Sequence, residues 1–210
     1  MEDLMQHDKP ITLYIVDRPS DADRIRPLIR LMITQMIRRL SEKMEFSGGR
    51  SVKHYKHRLL LLLDEFPSLT KLSVVEDGLA FMAGYGIKAY LICQDFQQLT
   101  GIYTRDEKIM ANCHIRIGYA PNKLETAEML SKMSGTATVT KEEISVSGSR
   151  FGGAAKSYNK SYREHQRPLI TADEVMRLKK PKKSGHGEQE KIVEAGELLV
   201  FAAGYAPIFG

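Results

Sequence analysis

Apolar residues along this chain gather into short unbroken runs, separated by stretches in which they recur every third or fourth position. The most sharply bounded run is Leu59-Leu60-Leu61-Leu62-Leu63, entered from the basic run Lys53 to Arg58 and ended by Asp64-Glu65-Phe66-Pro67. Five leucines are too short for a helix of their own and show no alternation. They predict a strand buried on both faces, as in a parallel sheet. Ile11 to Val16 is a second such run, ending at Asp17. Ile87 to Cys93 is a third, leading into Gln94-Asp95, and Ile115 to Tyr119 is a fourth, closed by Pro121.

Helical patterns lie between these runs. Ser20 and Asp23 stand at capping-box spacing, followed by Ile25, Leu28, Ile29, Met32, Ile33, Met36, Ile37 and Leu40 on one helical face. Pro27 predicts a kink or a later start there. Pro67-Ser68 opens a helix through Leu72, Val75, Leu79 and Met82, stopped at Gly84-Tyr85-Gly86. A polar segment with Arg105 and Asp106 leads to a short helix through Met110, and Thr126 to Met133 predicts another, stopped by Gly135. This β-α-β-α-β-α-β succession predicts an α/β fold, a mainly parallel sheet flanked by helices and joined by right-handed crossovers.

Beyond Thr136 the pattern weakens. Thr138 to Val146 alternates and reads as an edge strand or hairpin arm, and the Gly-, Ser- and Ala-rich stretch from Ser147 to Ser161 reads as a mobile loop. Thr171 to Glu174 caps a short helix through Leu178. A basic loop from Lys179 to Gly187 follows, and Leu198 to Phe201 and Tyr205 to Phe209 predict closing strands.

At 210 residues the chain can build one sizeable core or two small ones. No apolar run approaches bilayer length, and Met1-Glu2-Asp3 lacks the layout of a signal peptide, so the chain by itself is expected to be soluble and cytoplasmic. Cys93 and Cys113 have no partner at zinc-site spacing and read as buried free thiols. The formal charge of +5 is unevenly spread: Arg150 to Lys183 holds ten Lys/Arg against three Asp/Glu, with Tyr158 and Tyr162 interleaved. Such a stretch suits a nucleic-acid backbone, and equally a solvated surface loop. Lys156, Lys160, Arg163 and Arg167 are the candidate DNA contacts within it.

An apolar strand ending in Asp64-Glu65 has the form of a Walker B segment at the carboxyl edge of a sheet, where ligands of open α/β folds bind. Asp64 would hold Mg²⁺, and Glu65 would orient or deprotonate an attacking water. Alternatively, both acids simply complement the start of the next helix. Gln94 ends the following strand, where an amide can bond a γ-phosphate or water. Arg105 and Arg116 are candidates for an arginine finger reaching a neighbouring subunit's phosphate, or are surface charges. The phosphate loop G-x-x-x-x-G-K-[ST] is missing; in its nearest approximation, Gly148 to Ser157, Arg150 and Ala155 stand where the glycines belong. A Mg²⁺-dependent nuclease built on Asp64, Glu65 and Asp95 would need more convergent acids than these.

Together these motifs resemble the TraG-like coupling proteins of type IV secretion and conjugation systems. The likeness runs in order through Leu13-Tyr14-Ile15-Val16, Arg18-Pro19-Ser20-Asp21, Arg24 to Leu28, Leu61 to Leu69, Gly84-Tyr85-Gly86 and Cys93 to Leu99. It continues through Ala120-Pro121-Asn122, Ser131 to Thr138, Arg167 to Thr171 and Gly204 to Ile208. The resemblance implies a RecA-like P-loop NTPase fold and a hexameric, ATP-driven motor with Mg²⁺. Such a motor delivers a DNA–relaxase complex or effector proteins to a secretion channel at the cytoplasmic face of the bacterial inner membrane. By position, Asp64 would be the Mg²⁺-associated acid, Glu65 the catalytic acid and Gln94 the phosphate-sensing glutamine.

Against that pattern, the chain lacks the phosphate loop, the family's membrane helices and its inserted all-helical domain. It is therefore expected to be the C-terminal part of the motor domain, truncated at both ends and incomplete without the phosphate-loop strand. Residues 11–135 would form the sheet core, and residues 136–210 the basic mobile loops and closing strands. Alone it is expected to lack ATPase activity. The alternative is a catalytically inactive remnant that only binds DNA or associates with full-length subunits.

Overall fold

The structure is a computed structural model that describes residues 1–18, 20–43, 45–47, 50–52, 55–103, 108–147, 157–185, 187 and 190–210. The chain divides into two compact units, Met1–His114 and Ile115–Gly210.

In the first unit, helix α1 (Asp3–Gln6) precedes the long helix α2 (Ala22–Leu40). Ile29, Ile33, Met36 and Ile37 of α2 are buried, one apolar stripe at helical spacing, while Arg24, Arg38 and Arg39 stay exposed. Each such burial stabilises by about 1.5–3 kcal/mol. Pro27 sits inside α2 without ending it, and the N-cap position falls on Asp21, which makes no side-chain cap bond. A hairpin of β1 (Glu45–Ser47) and β2 (Arg50–Val52) follows.

The leucine run forms β3 (Leu59–Leu63), paired in parallel with β4 (Ile87–Leu91). Its burial alternates: Leu61 and Leu63 are 8% and 7% exposed, whereas Leu60 and Leu62 are 59% and 53% exposed. The expectation of a strand covered on both faces is therefore corrected. The core of this unit, built from Ile33, Ile37, Phe66, Val75, Ile87, Leu99 and Ile109 among others, packs against one face of the pair.

The apolar run at residues 11–16 forms no strand, and its Tyr14 and Val16 are 81% and 85% exposed. A strand is held by cross-strand pairing and by burial of one face, and apolar composition alone supplies neither. The helix expected from Pro67 to Met82 is broken into a 3₁₀ turn at Phe66–Leu69, helix α3 (Ser73–Gly78) and a second 3₁₀ turn at Met82–Tyr85. After β4 come α4 (Phe96–Tyr103) and α5 (Lys108–Asn112). Cys93 is exposed and Cys113 half-buried, so neither is the fully buried thiol expected.

In the second unit, β5 (Ile115–Gly118) leads into α6 (Leu124–Ser134). The ribbon of β6 (Thr136–Ser147) and β7 (Ser157–Pro168) is antiparallel, with twelve paired positions. Residues 157–161, expected to be a mobile loop, thus lie in a strand, while residues 148–156 fall outside the described residues. Helix α7 (Ala172–Met176) carries the anticipated cap: Thr171 and Glu174 form a reciprocal capping box. Part of the expected basic loop is β8 (Lys182–Ser184), paired with β9 (Lys191–Glu194).

The closing strands β10 (Leu199–Ala202) and β11 (Ile208–Phe209) exist, and β10 pairs antiparallel with both β11 and β5. That pairing puts β5 and α6 in one unit with the C-terminal strands, instead of with residues 11–114. Ala127, Leu130, Val175, Leu178, Leu199 and Phe201 form the second core. The fold is α/β, and among the described residues its parallel character is confined to β3–β4.

Candidate functional site

The site is built where β3 ends. The Ile92 amide donates to the Leu63 carbonyl at 3.0 Å, and the Ile92 carbonyl accepts the Phe66 amide at 2.8 Å. An uninterrupted parallel ladder would use the Glu65 amide for the second bond. The ladder instead stops at Leu63, and Asp64 and Glu65 form a turn that carries the chain into the 3₁₀ turn at Phe66. The turn is closed locally: the Glu65 amide donates to Asp64 Oδ1 at 3.0 Å, and Glu65 takes a left-handed conformation with φ 44°. Asp64 is exposed and Glu65 half-buried.

Gln94, exposed, lies two residues beyond Ile92 at the same carboxyl end of the parallel pair. Asp95 Oδ1 accepts the Gln97 amide at 3.0 Å, at the start of α4. Partial desolvation, followed by the charges of Glu65 and Asp95, pushes the Cys93 thiol up.

Side chains from α2 and α4 hold the turn that follows Glu65. Phe66, 1% exposed, stacks on Tyr103 with ring centroids 5.3 Å apart. The Tyr103 hydroxyl accepts the Leu72 amide at 3.0 Å and donates to the Thr70 carbonyl at 3.2 Å. Arg30 Nη1 donates to the Leu69 carbonyl at 2.6 Å and also to the Thr70 hydroxyl. Burial pushes the Tyr103 hydroxyl pKa up, against the opposing pull of the Leu72 amide that bonds it. Sequence reasoning missed Tyr103 and Arg30. Phe96, Leu99 and Tyr103, spaced i, i+3 and i+7, were the available signal for α4.

Arg105 and Lys156 lie outside the described residues. Arg116 is half-buried on β5, opposite Phe201, in the second unit. The three described DNA candidates each face a carboxylate: Lys160 meets Glu142 at 2.7 Å, Arg163 meets Glu143 at 3.3 Å and Arg167 meets Glu174 at 2.5 Å. Arg177, Lys179, Lys182 and Lys183 are likewise paired, with Asp173, Glu197, Glu194 and Glu190. The described part of the basic stretch is thus largely balanced, by Asp173 and Glu174 within it and by five acids outside it in the second unit.

The whole chain, residues 1–210, matches the family described as Type IV secretory system Conjugative DNA transfer. The chain belongs to this family. It is 51% identical over its full length to the conjugal transfer protein TraG of Escherichia coli, of which it covers 33%. It is 28% identical to protein VirD4 of Agrobacterium fabrum, with 81% of the chain and 24% of VirD4 aligned. In fold it is similar to the plasmid coupling protein TrwB in complex with ADP and Mg²⁺, with a TM-score of 0.69 and 18% identity, covering all of this chain and 41% of that one. The chain therefore spans about a third of the length of the TraG relative it matches.

Asp64 and Glu65 fit one half of a Mg²⁺–nucleotide site. Mg²⁺ is bound through one or two carboxylates plus phosphates and water, and does not need a protein-only cage. Among the described residues no three His, Cys, Asp or Glu converge as such a cage. The glycine–lysine loop that would cradle phosphate is nowhere in these 210 residues.

Proposed function

We propose that these residues are the Walker B and sensor half of an ATP-driven coupling-protein motor for conjugative DNA transfer. The observation that carries the reading is the turn at the end of β3. It sets two adjacent carboxylates at the carboxyl edge of a parallel strand pair, with Gln94 three residues beyond the end of β4. Bound nucleotide would supply the phosphoanhydride to be cleaved and the Mg²⁺ that screens its charge. Asp64, exposed and with Oδ2 outside its local hydrogen bond, would hold the cation. Glu65, half-buried and turned by its left-handed backbone, would take the proton from water. Gln94 would orient that water or the phosphate through its amide.

The phosphate cradle belongs to residues beyond this third of the relatives' length. The exposed leucine face of β3 supports the same reading, because Leu60 and Leu62 offer a seat for further sheet or helix cover. A homo-hexamer, a DNA–relaxase substrate and secretion-channel partners follow from the family reading. A membrane anchor also belongs to the remaining two thirds: among the described residues no helix is long and apolar enough to cross a membrane. DNA contact is assigned to Lys156, Lys160, Arg163 and Arg167. Exposed ion pairs such as those of the last three contribute at most about 1 kcal/mol, so a phosphate backbone can displace them.

The test is Glu65→Gln in a protein of the relatives' length that carries these 210 residues. Nucleotide should still bind while hydrolysis falls by at least a hundredfold. Undiminished turnover would remove Glu65 from the chemistry and, with it, this assignment.

A further inference from the structure

Two residues without glycine's freedom hold left-handed backbone at the ends of one short turn: Glu65 at φ 44° and Thr70 at φ 58° with ψ −166°. The second conformation lies in a region that is essentially reserved for glycine, and such strain persists only where the surroundings over-determine it. Here the surroundings are specific. Arg30, arriving from α2, bonds the Leu69 carbonyl and the Thr70 hydroxyl. Tyr103, arriving from the end of α4, bonds the Thr70 carbonyl and the Leu72 amide and stacks on Phe66. The Phe66 amide is in turn tied to the carbonyl of Ile92, directly beyond β4, which pins the residue directly after Glu65.

We propose that Tyr103 and Arg30 are positioning residues for the Glu65 carboxylate, acting as a two-point latch on the strained Glu65–Thr70 turn. This rests on the reading of Glu65 as the acid that activates water. Both side chains act on the backbone of the turn. The Tyr103 ring fills the core beneath Phe66, while its hydroxyl sets the path of the backbone that leaves Glu65. Because α4 starts directly after Gln94-Asp95, the same helix ties the sensor end of β4 to the turn that carries the acid. With the hydroxyl removed, the Phe66 ring contact remains, but the Leu72 amide and the Thr70 carbonyl lose their shared partner. The turn then relaxes away from left-handed geometry and Glu65 moves out of line.

The experiment compares Tyr103→Phe, Arg30→Gln, Thr70→Gly with Tyr103→Phe, and Glu65→Gln, all in a protein of the relatives' length carrying these residues. ATP hydrolysis and nucleotide affinity are measured alongside thermal midpoints. Tyr103→Phe and Arg30→Gln should each lower kcat at least tenfold while KM for ATP stays within twofold. Adding Thr70→Gly relieves the backbone strain and gives up the hydroxyl that Arg30 bonds, leaving its Leu69 contact; it should raise the thermal midpoint of Tyr103→Phe without restoring kcat. If kcat returns together with stability, the latch is merely structural and the proposal fails. It also fails if Tyr103→Phe or Arg30→Gln turns over at the unsubstituted rate while Glu65→Gln is inactive. Normal turnover in Glu65→Gln is a different failure, that of the functional reading itself. In the 210-residue chain, hydrogen exchange gives an independent readout: Tyr103→Phe should speed exchange at Phe66 and Leu72 at least tenfold, and unchanged protection at Phe66 would overturn the latch.

Discussion

The leucines of β3 allow one residue type to be compared on two faces of one strand. Leu63 is 7% exposed and faces the first core, whereas Leu62 is 53% exposed. Complete burial of a leucine side chain is worth about 1.5–3 kcal/mol, so Leu62 gains roughly half of that or less. Truncating Leu63 to Ala also leaves a cavity, and buried Leu→Ala changes cost about 2–5 kcal/mol. Leu62→Ala should cost no more than about 1 kcal/mol in the 210-residue chain. With a urea m-value of about 2 kcal/mol/M, that difference separates the unfolding midpoints by roughly 0.5–2 M. Equal losses in the two variants would show that both faces of β3 are covered, and would refute the one-sided packing. In a protein of the relatives' length the contrast should vanish, because further cover of the sheet would bury Leu62 as Leu63 is buried here.

Gly86→Ala should destabilise the chain by about 2–4 kcal/mol in urea unfolding. Gly86 holds φ +79°, and an added Cβ would come within 2.4 Å of the Tyr55 ring, so left-handed strain adds to overpacking. Glu174 is held below the usual carboxylate range, first by the Thr171 backbone amide and hydroxyl and then by Arg167. Glu197 is held there by its bonds to Lys179. In each case the folded form releases its proton more readily than the unfolded form. The stabilisation is therefore complete above the ordinary value of 4.5 and lost as pH falls through the depressed one. A Glu174→Gln, Glu197→Gln double variant should accordingly show a shallower loss of urea midpoint on acidification; an unchanged acid limb would contradict the assignment.

The local pattern of the chain determined those elements whose stability is local. The stripe from Ile25 to Leu40 became α2 because its apolar face and its arginines alternate at helical period, and Pro27 did not outweigh nineteen helical residues. Thr171 and Glu174 made their capping box because every atom involved lies within four residues. The acids after Leu63 and the glutamine after Cys93 fall just past the carboxyl ends of the paired strands β3 and β4, since both sit where an apolar run stops.

What depended on partners distant in sequence was decided only in three dimensions. Ile11 to Val16 has strand composition but no paired strand in the fold, and the leucine run is covered on one face because packing, not composition, sets burial. The basic stretch lost most of its apparent charge to Glu142, Glu143, Glu190, Glu194 and Glu197, acids that no local window connects to it. The turn at Asp64-Glu65 needs Ile92 to bracket it, and the 3₁₀ turn behind it needs Arg30 and Tyr103, more than thirty residues away on either side. Residue type named the chemistry; only the tertiary structure, by bringing these long-range bonds together, decided where that chemistry points.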